Sequence, residues 1–393
     1  MIIWLAVAIP VIVGLVIYLH PWFHSKVVWW EITILCTTVV FIAAFKWSVE
    51  GVQTIDKEWW TVYLTSAHYW EPWTEEWDEW VPESGHTDSD GNYVVDEPAH
   101  WEHHVAHHPP SWTADDNMGS GCSISQSRYR QLVGMWGGET EEDLRRMNQT
   151  SSGDGDVWNT YYPQKFEVLV PYTNVHTYEN RVQASTSLRK FREVANRDGY
   201  LHEYPESRDP FAVPSILGVA PGANQANVKL CKYNALYGNR SQGGKGDQVR
   251  MWILLYQNQP IQTALDQEQY WGGGNKNELV LCIGTDDKYR VQWAYCFSWT
   301  DVERLKIEVQ EFARKQDQLD LDQIVDYMTE RVSTTWVRKE FADFSYLTVE
   351  PPTWAVITTY IVTFLLCVGW AVYAVLNEFT LANPDGKSRF SFR

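Results

Sequence analysis

WAVITTYIVTFLLCVGWAVYAVL, residues 354–376, runs for 23 positions without an Asp, Glu, Lys, Arg or His. A helix of that length reaches roughly 35 Å at about 1.5 Å per residue, enough to cross a hydrocarbon core of about 30 Å with some tilt. A core helix of a soluble protein carries a polar stripe and rarely runs so long. The stretch therefore reads as a membrane anchor, and the chain before it as part of a membrane protein.

Two more apolar segments lie at the other end of the chain. Ile2 to Leu19 is apolar apart from Pro10 and Gly14, which membrane helices tolerate better than soluble ones do. It has no leading Lys or Arg and ends in Tyr18-Leu19-His20-Pro21, so a retained helix fits better than a cleaved signal peptide. Val27 to Phe45 follows, flanked by Trp29, Trp30 and Lys46, with Glu31 one turn inside and within reach of the interface. The two segments make a helical hairpin, giving three membrane spans with Lys46 to Thr353 on one side. Lys26, Lys387, Arg389 and Arg393 balance Lys46, Lys57, Arg338 and Lys339 across the membrane. The uncharged N-terminus and the cation-free stretch after Lys57 tip the expectation toward an extracytoplasmic domain.

The formal charge is −18. Such acidity argues against a nucleic-acid partner, because phosphate binding needs a basic face. Much of the charge sits in Glu58 to Ser127, which holds 14 acidic residues, eight Trp, seven of the 11 His and no Lys or Arg. EWWTVYLTSAHYW has the aromatic and β-branched character of a strand, and Asp90-Gly91 before NYVV signals a hairpin turn. The segment reads as a β-ribbon. Asp88, Asp90 and Asn92 resemble the start of a calcium loop, but the glycine is misplaced and the distal Glu is missing, so a turn explains them better.

HWEHHVAHHPP places His100, His103, His104, His107 and His108 close together. Pairs three to five apart can share one side of a helix or loop, and neutral imidazole is a common ligand for zinc, nickel or copper. These five are the candidate ligands of a divalent metal. The order is not that of HExxH, and Pro109-Pro110 ends any helix, so a solvated, pH-sensitive loop is the competing reading. The six cysteines form no CxxC and no zinc spacing.

From Ser123 the pattern turns helical, with Tyr129, Leu132, Val133 and Trp136 on one face and Gly137-Gly138 as the stop. Thr140 to Asp143 reads as a capping box for a short helix through Met147. VWNTYY and KFEVLVPY are strand-like, and a Pro- and Gly-rich loop from about Gly199 to Gly222 marks a boundary. Beyond it Val228, Cys231 and Ala235 mark a helix face, QVRMWILLYQ (248–257) is a buried strand, and Pro260 to Trp271 is a helix. ELVLCIG and RVQWAYCFSW form a hairpin around Asp286-Asp287-Lys288. A capping box at Thr300 to Glu303 precedes a helix with Val302, Leu305, Val309 and Phe312, and Asp320 starts another with Leu321, Ile324, Val325, Met328 and Val332. The order α-β-α-β-β-α-α predicts an α/β sandwich. GNRSQGGKG departs from the P-loop spacing and WGGGNKN precedes a strand, so both read as turns, with Lys276 the one anion-nest candidate.

The chain thus divides into a transmembrane hairpin (1–46), an acidic Trp- and His-rich β-subdomain (47–122), a mixed α+β region (123–222), an α/β domain (223–350), a transmembrane helix (351–379) and a basic tail (380–393). It is an α+β membrane protein. The blocks HTYENRVQAS (176–185) and YWGGGNKNE (270–278) resemble those of uncharacterised membrane proteins of large tailed phages and some bacteria, a likeness that implies no activity. Residues 224–332 are similar in element order to the TPM domain, whose strands correspond to ELVLCIG and VQWAYCF; its GYG ending is absent, and no phosphatase residue carries over.

No catalytic motif is legible. The leading expectation is a membrane-tethered interaction or structural protein, viral or bacterial, with the lipid bilayer and another protein as partners and no identified cofactor. One alternative is a TPM-like, metal-assisted phosphohydrolase using Asp286, Asp287 and Asp301, since strand and helix ends commonly host sites in α/β folds. The other is metal or pH sensing by the His run.

Overall fold

The computed structural model describes residues 2–19, 35–142, 150–152, 156–185, 191, 194–196, 199–205, 209–238 and 247–377. They fall into two compact units, one of Met1–Glu58, Thr177–Arg192 and Glu340–Arg393, the other of Trp59–His176 and Glu193–Lys339.

The first unit is helical. A 3-10 turn over Ile2–Val7 enters a helix at Ala8–Leu19, and two longer helices span Thr37–Thr54 and Thr353–Asn377. Among the described residues, Thr353–Tyr373 is the one helical stretch long and apolar enough to cross a membrane, and Ile3–Leu19 is a shorter apolar helix. Three spans are therefore not supported. The expected second span, Val27 to Phe45, has its first part and Glu31 outside the described residues. Its helix runs on to Thr54 through Lys46 and Glu50, which pair at 2.5 Å, so only its first half is apolar. The helices of this unit are apolar on both sides, with Ile17, Leu35 and Cys367 clustered inside. Leu15, Val16, Ile361 and Leu365 face outward, whereas Thr38, Thr359 and Thr363 are buried. Thr38 and Thr359 return their hydroxyls to the backbone carbonyls of Leu35 and Ala355, at 2.5 and 2.7 Å.

The second unit opens within β1 (Ile55–Trp70), a long strand whose residues from Trp59 on belong to it. Next come β2 (Trp73–Val81), β3 (Ser84–Thr87), β4 (Tyr93–Glu97), β5 (His100–His108), β6 (Ser111–Asp116), β7 (Gly121–Ser123), α1 (Gln126–Trp136), β8 (Thr140–Glu142), β9 (Thr150–Ser152), β10 (Val157–Tyr161) and β11 (Pro171–Glu179). One sheet has the order β7-β6-β1-β10-β8, with β11 also on β1. Helix α1 covers one of its faces, where Tyr129, Leu132 and Trp136 pack on Leu64, Ala67 and Ala114. Ser125 caps the helix by accepting from Arg128 N, and Gly137 closes it at φ 98°, a left-handed conformation that glycine takes without a Cβ clash. The helix expected at Thr140 is instead strand β8, claimed by pairing with β10; its continuation to Met147 lies outside the described residues. KFEVLVPY splits into a 3-10 turn at Phe166–Val168 and the start of β11.

Strands β5, β2 and β9 form a second, separate sheet, the ribbon, tipped by the β3–β4 hairpin. Its turn is the one read from Asp90-Gly91: the Asp88 carboxylate accepts from the backbone N–H groups of Asp90 and Asn92, and Gly91 sits at φ 86°. Those backbone donors hold Asp88 below the usual carboxylate range.

The remainder is an α/β layer structure built from β12 (Ile216–Leu217), α2 (Ala223–Tyr237), β13 (Arg250–Gln257), α3 (Gln262–Tyr270), β14 (Glu278–Thr285), β15 (Val291–Ser298), α4 (Glu303–Arg314) and α5 (Leu321–Thr335). The order α-β-α-β-β-α-α is as the sequence indicates, with β12 added inside the supposed boundary loop. β12, β13 and β14 are parallel and β15 antiparallel. Helices α2, α4 and α5 bury Leu230, Leu305, Val309, Ile324 and Met328 against one face, while α3 and an aromatic group around Trp252 cover the other. Two consecutive crossovers thus move the same way across the sheet with their helices on opposite faces, so they have opposite hands, against the usual right-handed rule. Val228 is exposed; Ala226, Leu230, Asn234 and Ala235 form the buried face of α2. The capping box at Thr300 does not form: the Thr300 hydroxyl donates to Val337 O and accepts from Val302 N, and α4 starts after Val302 without a side-chain cap.

Candidate functional site

The ribbon gathers most of the sequence's chemical signals. From Trp73 to His108 it carries ten acidic residues and no Lys or Arg. β2 and β5 pair antiparallel from Trp73↔His108 to Val81↔His100 without a bulge. Side chains alternate between faces along a strand, so the His run, expected on a helix or loop, is split. His100, His104 and His108 share one face with Glu75, Trp77 and Glu79, and His103 and His107 share the other with Thr74, Asp78 and Trp80.

Each imidazole has a local neighbour, although the buried His104 Nε2 makes no hydrogen bond. His108 stacks on Trp73 at 4.1 Å and 9° and lies 3.2 Å from Glu75 Oε2. His104 stacks on Trp77 at 5.2 Å, with Nε2 3.3 Å from Glu79 and 3.8 Å from Glu102. His103 meets Asp78 at 2.7 Å, His107 meets Thr74 Oγ1 at 3.1 Å, and His100 lies 3.9 Å from Glu97. Same-face histidines four residues apart along a strand are about 13 Å apart, too far to bind one ion. Among the described residues, no three His, Cys, Asp or Glu side chains are placed to hold a metal. What the ribbon presents is alternating carboxylates and indoles, with Trp77, Trp80 and Trp101 exposed by 42%, 49% and 66%.

A second polar cluster, absent from the sequence reading, lies on the sheet face opposite α1. His68 Nδ1 is 2.5 Å from Asn159 Oδ1, and its Nε2 is 3.0 Å from Asp115 Oδ2 and 2.9 Å from Ser66 Oγ. Asn159 Nδ2 donates to Glu142 Oε2 at 2.9 Å, which fixes the amide with its oxygen toward His68. The residue types suggest acyl transfer, but the geometry does not. Serine and carboxylate crowd the same imidazole nitrogen, whereas a relay needs them on opposite nitrogens. The cluster ties β6, β1, β10 and β8 together on their open face. The one signal for it in the sequence was the polar alternation Ser66-x-His68.

The acids suggested for phosphoester chemistry do not converge. Asp286 and Asp287 sit in the turn after β14, where Asp286 binds Arg290 at 2.6 Å and Asp287 accepts from Asn258. Asp301 follows β15, at the opposite end of that hairpin, and holds Lys339 at 2.6 Å. Lys276 lies in the turn that enters β14, shaped by Gly272, Gly273 and Gly274 at positive φ. The GNRSQGGKG loop lies outside the described residues after Gly238.

Two fully buried charged residues, Arg250 and Glu278, are parallel neighbours at the starts of β13 and β14. The Arg250 guanidinium lies 4.3 Å from the Trp252 ring centroid and 5.4 Å from that of Trp59. It donates to Thr61 Oγ1 at 2.6 Å and to Pro214 O at 3.2 Å. Glu278 accepts from Tyr204 OH, from Trp252 Nε1 at 3.0 Å and from Asn275 N at 2.8 Å. Burial pushes the Glu278 carboxyl up and lowers Arg250, while these donors and the nearby guanidinium favour the carboxylate. Each charge is hydrogen-bonded to its own neighbours beside indole rings, with Arg250 Nε left unbonded, so this cluster is built for structure.

The chain matches no family model, no curated protein and no solved structure.

Proposed function

We propose that this is a membrane-tethered interaction protein whose acidic, tryptophan-bearing ribbon meets a partner protein. The ribbon carries this reading. A sheet polar on both faces gains little from burial against its own chain, and three indoles are left in solvent where interfaces concentrate their binding energy. Tethering is supported by the C-terminal helix, with apolar side chains outward and threonines inward, the arrangement suited to lipid. The N-terminal apolar helix belongs to the same unit. The uncharged N-terminus and the cation-free stretch after Lys57 favour an extracytoplasmic ribbon.

The test uses the full chain. Alkaline carbonate should leave it in the membrane pellet, and termination before Thr353 should increase its release. Cross-linking followed by affinity capture should then recover a protein from the native chain and lose it from a Glu76→Lys/Asp78→Lys/Glu79→Lys variant. Equal recovery by both chains removes the ribbon from the function.

A further inference from the structure

The ribbon's outer edge says what kind of partner it fits. β5 is the terminal strand in the order β5-β2-β9, so one row of its backbone N–H and C=O groups has no strand beside it among the described residues. Natural sheets guard such edges with lysines, prolines, bulges or very short strands. β5 has none of these: it runs nine residues, His100–His108, in unbroken register with β2. It also exposes Trp101 and Val105 beside that edge, by 66% and 47%. Its guard is charge of one sign. Trp73 to His108 holds ten carboxylates and no Lys or Arg, and Glu102 lies on β5 itself.

We propose that β5 takes an extended, arginine-bearing segment of a partner protein as a further strand of the ribbon. This rests on the reading of the ribbon as the interaction element. Strand addition supplies affinity through main-chain hydrogen bonds and specificity through alternate side chains. Here alternate guanidinium groups would meet Glu102 and the carboxylates of Glu75 and Glu79 on its face of the ribbon, while the intervening side chains would lie against Trp101 and Val105 on the other. A second copy of this chain is the poorer occupant, since it would bring the same unbalanced charge to the same edge, and like charges across a strand pair are unfavourable. A neutral apolar strand would bring nothing to offset the ribbon's unbalanced acidic charge.

The experiment uses the full chain in zwitterionic detergent and three blocked nine-residue peptides. One alternates arginine with valine, one replaces each arginine with glutamate, and one is the arginine peptide N-methylated at alternate amides along one edge. Fluorescence anisotropy should show binding of the first, at least tenfold weaker binding of the N-methylated form, and none of the acidic form. Hydrogen exchange should slow in His100–His108 when the arginine peptide binds and stay unchanged in Ile216–Leu217, a short strand of the other sheet. Glu102→Lys should weaken binding about tenfold or more while β2 and β5 keep their exchange pattern. Equal binding of the methylated and unmethylated peptides reduces the contact to charge alone and overturns strand addition, as does an absence of binding or of protection in β5. Concentration-dependent self-association that displaces the peptide overturns it in favour of a second copy. If a captured partner depends on Glu76, Asp78 and Glu79 but leaves β5 exchange unchanged, the interaction role stands and the edge proposal falls.

Discussion

Arg250→Met is the sharpest test of what holds the second unit together. Methionine keeps the apolar stem between the indoles of Trp59 and Trp252 but removes the charge and both donated hydrogen bonds, to Thr61 Oγ1 and Pro214 O. Removing one member of a buried, interacting charge set costs about 3–5 kcal/mol. Glu278 keeps the Tyr204, Trp252 and Asn275 donors, so its carboxylate is less exposed to the loss, and the lower end, about 3 kcal/mol, is expected. At about 1.4 kcal/mol per factor of ten, that is roughly a hundredfold faster exchange of the slowest amides in β13 and β14, which report opening of the sheet core. The assay is hydrogen exchange with mass spectrometry on the full chain, which localises the change where 22 tryptophans would blur a fluorescence signal. The double variant Arg250→Met/Glu278→Leu should cost less than the sum of the single variants by about 1 kcal/mol or more. Acceleration below about tenfold, or strict additivity, would refute the view that the two charges are held as one buried unit.

Other consequences are simpler to measure. Burial depresses the His202 pKa below its ordinary 6.5, with Nε2–H donating to Leu255 O at 3.0 Å. The unfolded chain therefore takes up this proton first as pH falls, and the stability contribution present above the unfolded pKa is lost below it. The urea midpoint should drop more between pH 7.5 and 5.5 for the native chain than for His202→Gln; equal drops would place the effect elsewhere. Gly218 sits at φ 104°, where a Cβ would come within 2.6 Å of Leu255 O, so Gly218→Ala should cost about 1–3 kcal/mol and lower the thermal midpoint. An unchanged midpoint would mean that the β12 turn relaxes freely. Burial raises the Cys282 thiol far above its normal range and Cys296 to about 12. Ellman's reagent, which needs thiolate, should therefore give the same native titre with or without Cys282→Ser and Cys296→Ser, and a higher titre from the native chain once unfolded.

What the sequence conveyed, and what it withheld, follows from where each signal is stored. The five apolar positions predicted for α5, Leu321, Ile324, Val325, Met328 and Val332, are all buried, because helical periodicity records one partner surface per turn. β13 and β14 were legible for a similar reason, since strands covered on both faces read as continuous apolar runs. The His run had no such pattern. Both faces of the ribbon are polar, so no period of two in hydrophobicity marked β5 as a strand, and imidazole spacing alone fitted a loop or helix equally well. Its strand state is imposed by β2, which the β3–β4 hairpin brings back in register. The same limit hid Arg250 within an otherwise apolar strand. Its hydroxyl partner Thr61 is 189 residues away, and no local pattern can show that a cation will be met by an indole, Trp59, and a threonine from the far end of the unit. The second span is unsupported for a different reason: its first part lies outside the described residues, and the helix that holds the rest runs past Lys46 to Thr54, with Lys46 and Glu50 paired one turn apart. A charge that ends a hydropathy window need not end a helix. The reverse holds at β5, where the absence of any cation in the window is the property that leaves its edge open to a cationic strand.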